Sequence, residues 1–112
     1  MNKVIIKQSE NKIKALLSDI IFRELDEEIS QKVFITDVVL SGDKQIAKIY
    51  VDFFSVENKE YELKKIKKKS TFLRKELSKN LDTRKVPFLE FHLDKLLEQI
   101  NDMENLIKKA NK

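Results

Sequence analysis

The stretch VFITDVVLSGDKQIAKIYVDF, residues 33–53, predicts a β-hairpin around which the rest of the chain is arranged. Its first part is rich in β-branched residues, and its second part alternates apolar and polar side chains from Ala47 to Phe53. The turn-forming residues Ser41-Gly42-Asp43-Lys44, which include the sole glycine of the chain, separate the two strands.

The first strand of this hairpin has an irregular apolar pattern. Val33 and Ile35 share one phase of the strand, whereas Leu40 falls in the opposite phase. An extra residue in one strand shifts the phase of everything that follows it. We therefore predict a β-bulge near Thr36-Asp37, which places all three apolar side chains on one face.

An amphipathic helix is predicted before the hairpin, over about residues 8–25. Its apolar residues recur at three- and four-residue spacing: Ile13, Leu16, Leu17, Ile20, Ile21 and Leu25. The acidic cluster Asp26-Glu27-Glu28 follows. We interpret this cluster as a solvated connection, because carboxylates at the C-terminal end of a helix gain nothing from its dipole.

The apolar period becomes helical again after the hairpin. A stripe runs through Leu63, Ile66, Ser70, Leu73, Leu77 and Leu81. This stretch is either one long helix or two short helices bent at Lys69-Ser70-Thr71, since Ser and Thr side chains compete for backbone hydrogen bonds.

A third strand and a last helix complete the predicted elements. Leu89, Phe91 and Leu93 alternate after Pro87, which disfavours helix at the residue before it. Asp94 is a favourable N-cap for a helix that carries Leu96, Ile100, Met103 and Ile107 on one face.

The predicted fold class is α+β, with the order α-β-β-α-(kink)-α-β-α and helices covering one face of a three-stranded sheet. We expect one domain over residues 1–112, with short flexible ends at about 1–5 and 109–112.

Positive charge is concentrated in one part of the chain. Residues 59–85, here called the basic segment, carry 11 Lys or Arg and 4 Asp or Glu, a net charge of +7. The other 85 residues carry 12 basic and 15 acidic side chains, a net charge of −3. This segment is either a solvated helix face in a lysine-rich protein or the surface that binds a polyanion, RNA or DNA before membrane.

Catalytic and cofactor-binding motifs are missing from the sequence. The chain has no Cys, which excludes a disulfide framework and thiolate zinc sites, and a single Gly excludes a P-loop. The sole histidine, His92, has no nucleophile motif to serve and is expected to face solvent from the third strand. The carboxylates show no metal-ligand spacing. We therefore predict that the protein is not an enzyme and uses no cofactor or metal.

The apolar runs of the sequence are short. None approaches the roughly 20 residues that span a bilayer, and the stretch after Met1 is too short for a signal peptide. The lack of Cys fits a reducing compartment. We expect a soluble cytoplasmic protein with no membrane partner.

Several blocks of residues, taken together, resemble the ribosome-binding factor A family over about residues 5 to 108. The blocks are the amphipathic helix, the hairpin with Asp43 and Ala47-Lys48-Ile49-Tyr50-Val51, the run Phe72-Leu73-Arg74-Lys75-Glu76-Leu77, and the set Arg84, Pro87, Leu89, Phe91 and Asp94. The resemblance implies a single type II KH-like domain, with a helix–kink–helix in place of the usual GXXG loop.

The same resemblance implies a role in making ribosomes. Members of the family bind 16S rRNA within the small (30S) ribosomal subunit and support its late maturation, including 5′-end processing, notably in the cold; they are not enzymes. We expect a monomer with this partner. The Ala-x-Gly of the family kink is replaced by Lys69-Ser70-Thr71. Phe88 stands where the family more often has an acidic residue, and it either stacks on a base or packs under a helix.

The predicted RNA contacts lie in the basic segment. They are Lys64, Lys65, Lys67, Lys68, Lys69, Ser70, Thr71, Arg74, Lys75 and Lys79 on the helices, with Arg84 and Lys85 before the third strand. Two rival hypotheses remain open: another KH-like nucleic-acid-binding module, or a protein-interaction domain whose basic face docks an acidic partner.

Overall fold

A three-stranded sheet and four helices form the part of the chain that the computed structural model describes, residues 3–81 and 85–94. The elements are α1 (Lys3–Glu24), α2 (Glu27–Ser30), β1 (Val33–Leu40), β2 (Ile46–Phe53), α3 (Lys59–Lys68), α4 (Ser70–Ser78) and β3 (Phe88–Leu93). The strand order is β1-β2-β3, with β1 antiparallel and β3 parallel to the central strand. The predicted α+β class is confirmed, while the predicted last helix and Arg84 lie outside the described residues.

The predicted bulge in β1 is present. Ile35 pairs with Val51 and Asp37 pairs with Tyr50, so Thr36 is the extra residue between them. The Thr36 hydroxyl donates to the Tyr50 carbonyl at 3.2 Å and holds the bulge against the neighbouring strand. As a result, residues on both sides of the bulge bury their apolar side chains in the same core.

A chain of hydrogen bonds closes the hairpin turn. The Ile46 amide donates to the Ser41 hydroxyl at 3.0 Å, and that hydroxyl donates to Oδ1 of Asp43 at 2.7 Å. The Gln45 amide also donates to this oxygen, at 3.1 Å. The two bonds to Asp43, of which the one from the Ser41 hydroxyl has the larger effect, lower the pKa of the Asp43 carboxyl because they favour its charged form. The residue with a left-handed backbone here is Lys44, with φ of 60°, and not the glycine.

Helix α1 begins five residues before the predicted start, so residues 3–5, expected to be part of a flexible end, are helical. The predicted apolar stripe does not include this first turn, and its residues Val4 and Ile5 are exposed in the structure. Farther along, four residues of the predicted stripe, Ile13, Leu17, Ile20 and Ile21, are buried in the core. Leu16 and Leu25, the latter just beyond the end of α1, are only partly buried. One carboxylate oxygen of Glu10 accepts the Leu40 amide at 2.8 Å and so satisfies a backbone donor of the edge strand β1.

The prediction that the acidic cluster after α1 is only a solvated connection is wrong. The cluster starts the short helix α2. The amides of Ile29 and Ser30 donate to the Asp26 carbonyl at 2.9 and 2.8 Å. Glu27 and Glu28 therefore lie in the first turn of a helix. Carboxylates there are favoured by the helix dipole, although they gain nothing at the end of α1.

The core lies between the sheet and the long helices. Alternate β2 residues Ala47, Ile49, Val51 and Phe53 belong to the same buried cluster as Phe91 of β3 and apolar residues of α1, α3 and α4. Helix α1 packs on β1, whereas α3 and α4 pack on β3. Within residues 3–81 and 85–94, no helix is long and apolar enough to cross a membrane.

Candidate nucleic-acid interface

The basic segment forms two helices with a break between them. Helix α3 ends at Lys68, α4 begins at Ser70, and Lys69 between them has non-helical backbone angles (φ −94°, ψ 2°). The Lys69 amide still donates to Ile66 and its carbonyl accepts from Leu73, so the break costs few backbone hydrogen bonds. Of the two alternatives that the sequence left open, the interrupted helix is the one observed.

The buried side of this helix pair decides which side faces solvent. Leu63 and Ile66 of α3 and Leu73 and Leu77 of α4 enter the core. The break does not disturb this stripe, because α4 resumes with its apolar residues directed toward the same core. The remaining positions of residues 59–78, seven of them lysine, are exposed or half-buried.

Five lysines of the helix pair are exposed and form no ion pair within the described ranges. They are Lys64, Lys67, Lys68, Lys69 and Lys75, and Thr71 is exposed among them. We call these six residues the α3–α4 surface. Because no carboxylate in the described part of the chain pairs with these ammonium groups, the surface carries a positive potential.

Two further predicted contacts, Lys65 and Lys79, are already engaged. Nζ of Lys65 lies 4.6 Å from the centroid of the Tyr61 ring and 3.6 Å from a carboxylate oxygen of Glu62. Nζ of Lys79 lies 2.9 Å from a carboxylate oxygen of Glu76. Both lysine side chains are more than a third exposed, at 42% and 59%, so water weakens the pairs and both ammonium groups remain accessible. The half-buried Ser70 is less accessible than its neighbour Thr71.

Arg74 has a structural role that the sequence did not reveal. Its Nη2 donates to the Val86 carbonyl at 2.8 Å, and its Nε lies 3.3 Å from the carbonyls of both Val86 and Pro87. The Cζ atom is 4.0 Å from the centroid of the Phe88 ring. Arg74 thus connects α4 to the segment that leads into β3, and only part of its hydrogen-bonding capacity remains for phosphate.

The residues around the start of β3 are mostly accessible. Lys85 is exposed, and Phe88 is 62% exposed, so Phe88 is not packed under a neighbouring helix. His92 is half-buried rather than fully solvated: its ring centroid is 5.6 Å from that of Tyr50, and Nε2 is 2.6 Å from a carboxylate oxygen of Glu90. Nowhere in residues 3–81 and 85–94 do three His, Cys, Asp or Glu side chains gather as a metal site.

Comparison with known proteins points to one family. The family model described as "Ribosome-binding factor A" matches residues 6–107. Ribosome-binding factor A of Mycoplasmopsis agalactiae is 35% identical over 102 residues, which cover 91% of this chain and 88% of the relative.

Solved structures show the same likeness. The crystal structure of ribosome-binding factor A from Thermus thermophilus has a TM-score of 0.70 and 25% identity, covering 79% of this chain and 93% of that one. A Thermus thermophilus homology model of the factor, fitted into the cryo-EM map of a 30S complex, has a TM-score of 0.61 and 24% identity. The matched region covers 74% of this chain and 88% of the fitted one. Together with the sheet topology, these similarities confirm the predicted KH-like fold.

Proposed function

Because this chain belongs to the ribosome-binding factor A family, we propose that it binds the small (30S) ribosomal subunit through 16S rRNA. The family membership is the observation that carries this proposal. It is supported by a structural relative that has been fitted into the map of a 30S complex. It also agrees with the exposed and unpaired lysines of the α3–α4 surface.

The α3–α4 surface is the proposed RNA contact. Lysine ammonium groups bind phosphate as point charges, and such contacts release counterions from the nucleic acid. Lys65 and Lys79 add charge at the margins of the surface, and Lys85 extends it toward the start of β3. Arg84, outside the described residues, stays a predicted contact. These contacts position the protein on a folded RNA but carry little sequence information. The shape of the subunit therefore supplies the specificity.

We further propose that the protein acts sterically and not as a catalyst. A 16S rRNA segment held in, or kept out of, its mature place supports late maturation, including 5′-end processing. This role implies a cytoplasmic protein that is most important in the cold, when misfolded RNA rearranges slowly. A strain that lacks the protein should accumulate 16S rRNA with an unprocessed 5′ end at low temperature, and normal processing there would contradict this role.

Co-sedimentation with purified subunits tests the binding. We expect the protein to sediment with small subunits at low salt and to dissociate from them as salt is raised. It should not sediment with large subunits. Failure to sediment with small subunits even at low salt would overturn the proposal. Equal affinity for small subunits, free RNA and duplex DNA would support a general nucleic-acid module instead. Capture of an acidic protein that survives nuclease treatment would support a protein-docking role.

A further inference from the structure

Phe88 is an exposed aromatic side chain that the proposed phosphate contacts do not use. It lies at the start of β3, and 62% of it is exposed although Arg74 covers part of its ring. Burial in the core does not explain a phenylalanine at this position. We propose that the Phe88 ring is a stacking platform for an unpaired RNA base, an inference that rests on the proposed RNA binding.

The surroundings of Phe88 hold its ring in place before any ligand binds. The Phe88 amide donates to the carbonyl of Gln45, the residue before β2, at 2.8 Å. This bond fixes the Phe88 backbone beside the start of the central strand. The preceding Pro87 is buried and restricts the backbone there. Arg74 stacks on the ring and is itself held by two backbone carbonyls. A ring ordered in this way loses little conformational entropy when a base stacks on it.

The charges near Phe88 suit a nucleic-acid backbone. Arg74 lies against the ring. The exposed Lys75 follows Arg74 in the chain, and the exposed Lys85 directly precedes Val86, whose carbonyl Arg74 binds. Glu90 follows two residues later on the strand, and one of its carboxylate oxygens is engaged by Nε2 of His92 at 2.6 Å. Base stacking combined with adjacent cations is the usual means of binding single-stranded RNA.

Other exposed aromatic residues lack this combination. Phe72 of α4 lines a cleft of about 320 Å³ in which Glu24 and Asp26 stand beside Lys65, Lys68 and Lys69, so a phosphate there meets both signs of charge. Lys65 lies over the Tyr61 ring much as Arg74 lies over Phe88, but Lys65 is also paired with Glu62, and Tyr61 stands between Glu60 and Glu62 in the chain. Phe34 packs against Phe54 with ring centroids 5.2 Å apart, outside the basic segment.

Two RNA probes of equal charge separate stacking from phosphate binding. One is a single-stranded oligoadenylate, and the other is an abasic oligomer of the same length. We expect the wild-type protein to prefer oligoadenylate, and Phe88→Leu to reduce that preference about 5- to 100-fold, while affinity for the abasic oligomer is unchanged. Phe88→Trp should restore or increase the preference. Phe34→Leu, the same substitution in another exposed ring, should leave it unchanged.

The outcomes distinguish this inference from the proposed function. If Phe88→Leu keeps the wild-type preference while charge reversal of α3–α4 lysines weakens binding of both oligomers, the stacking role is wrong and RNA binding stands. If the wild-type protein binds neither oligomer and no small subunits, both are wrong. If Phe88→Leu loses binding to subunits but keeps the oligoadenylate preference, Phe88 contacts a protein, and the stacking role is again wrong. Thermal denaturation of each variant verifies that it is folded.

Discussion

The guanidinium of Arg74 lies over the ring of Phe88, with 4.0 Å between its Cζ atom and the ring centroid. The same guanidinium donates to the Val86 and Pro87 carbonyls. One side chain of α4 thus fixes the segment that carries the chain into β3. Because β3 pairs in parallel with β2, it has no hairpin turn to set its register, and this contact takes part of that role.

Replacement of Arg74 by Lys keeps the positive charge but loses the planar fork of donors. We expect Arg74→Lys to lower the free energy of unfolding by about 1–3 kcal/mol, because the partly buried Val86 and Pro87 carbonyls lose the guanidinium and the stacking on Phe88 is lost. Urea denaturation measures this change. Arg23→Lys is the matched control, since the ion pair that Arg23 forms within the described residues is an exposed one with Asp19, and its effect should stay below about 0.5 kcal/mol. Equal effects of the two substitutions would contradict the structural role of Arg74.

The ion pair between Lys59 and Asp52 should stabilise the fold more than the other ion pairs among residues 3–81 and 85–94. Asp52 is 9% exposed, and Nζ of Lys59 lies 2.8 Å from its carboxylate. Lys59→Met leaves this carboxylate without its partner, and we expect a loss of about 1–3 kcal/mol in unfolding free energy, moderated by the partial exposure of Lys59. Lys67→Met removes an exposed lysine of the same helix and should have little effect. A second change, Asp52→Asn, should recover part of the loss in the Lys59→Met protein, and failure to do so would argue against an electrostatic cause.

The hairpin turn makes a prediction about pH. The Ser41 and Gln45 hydrogen bonds lower the pKa of Asp43, so its carboxyl should titrate below its ordinary value in an NMR titration. Because the folded-state pKa is the lower one, the contribution to stability is present above the unfolded pKa and is lost as pH falls through the folded one. Ser41→Ala removes the largest cause and should move the titration midpoint upward. An unchanged midpoint would show that the hydroxyl does not hold this carboxylate.

The features that were predicted correctly depend on local sequence patterns. The opposite phases of Ile35 and Leu40 can be reconciled only by an extra residue, so the bulge could be located before the structure was known. The polar Ser70 in an apolar stripe indicated a possible break, although the stripe alone could not choose between one helix and two. The family resemblance came from several blocks with the right spacing, and the comparisons confirm it.

The features that were missed depend on contacts between distant parts of the chain. Nothing in the sequence near Arg74 indicates that its side chain reaches the carbonyls before β3, or that Glu10 of α1 accepts a β1 amide. The short helix α2 was missed for another reason: its carboxylates were assigned to the end of one helix when they belong to the start of the next. The phosphate contacts stay a prediction, and the structure adds which lysines are exposed and unpaired.

Charge reversal on the α3–α4 surface tests the central claim most directly. The measurement is co-sedimentation with small subunits across a range of salt, for the wild type and for the triple variant Lys64→Glu, Lys68→Glu and Lys75→Glu. The matched control reverses three exposed lysines elsewhere, Lys3, Lys7 and Lys48, with the same change in net charge. We expect the surface variant to lose binding at low salt, or to retain weak binding with a log–log salt slope reduced by about 2–3, while the control binds nearly as the wild type does. Equal binding by the two variants would contradict the account.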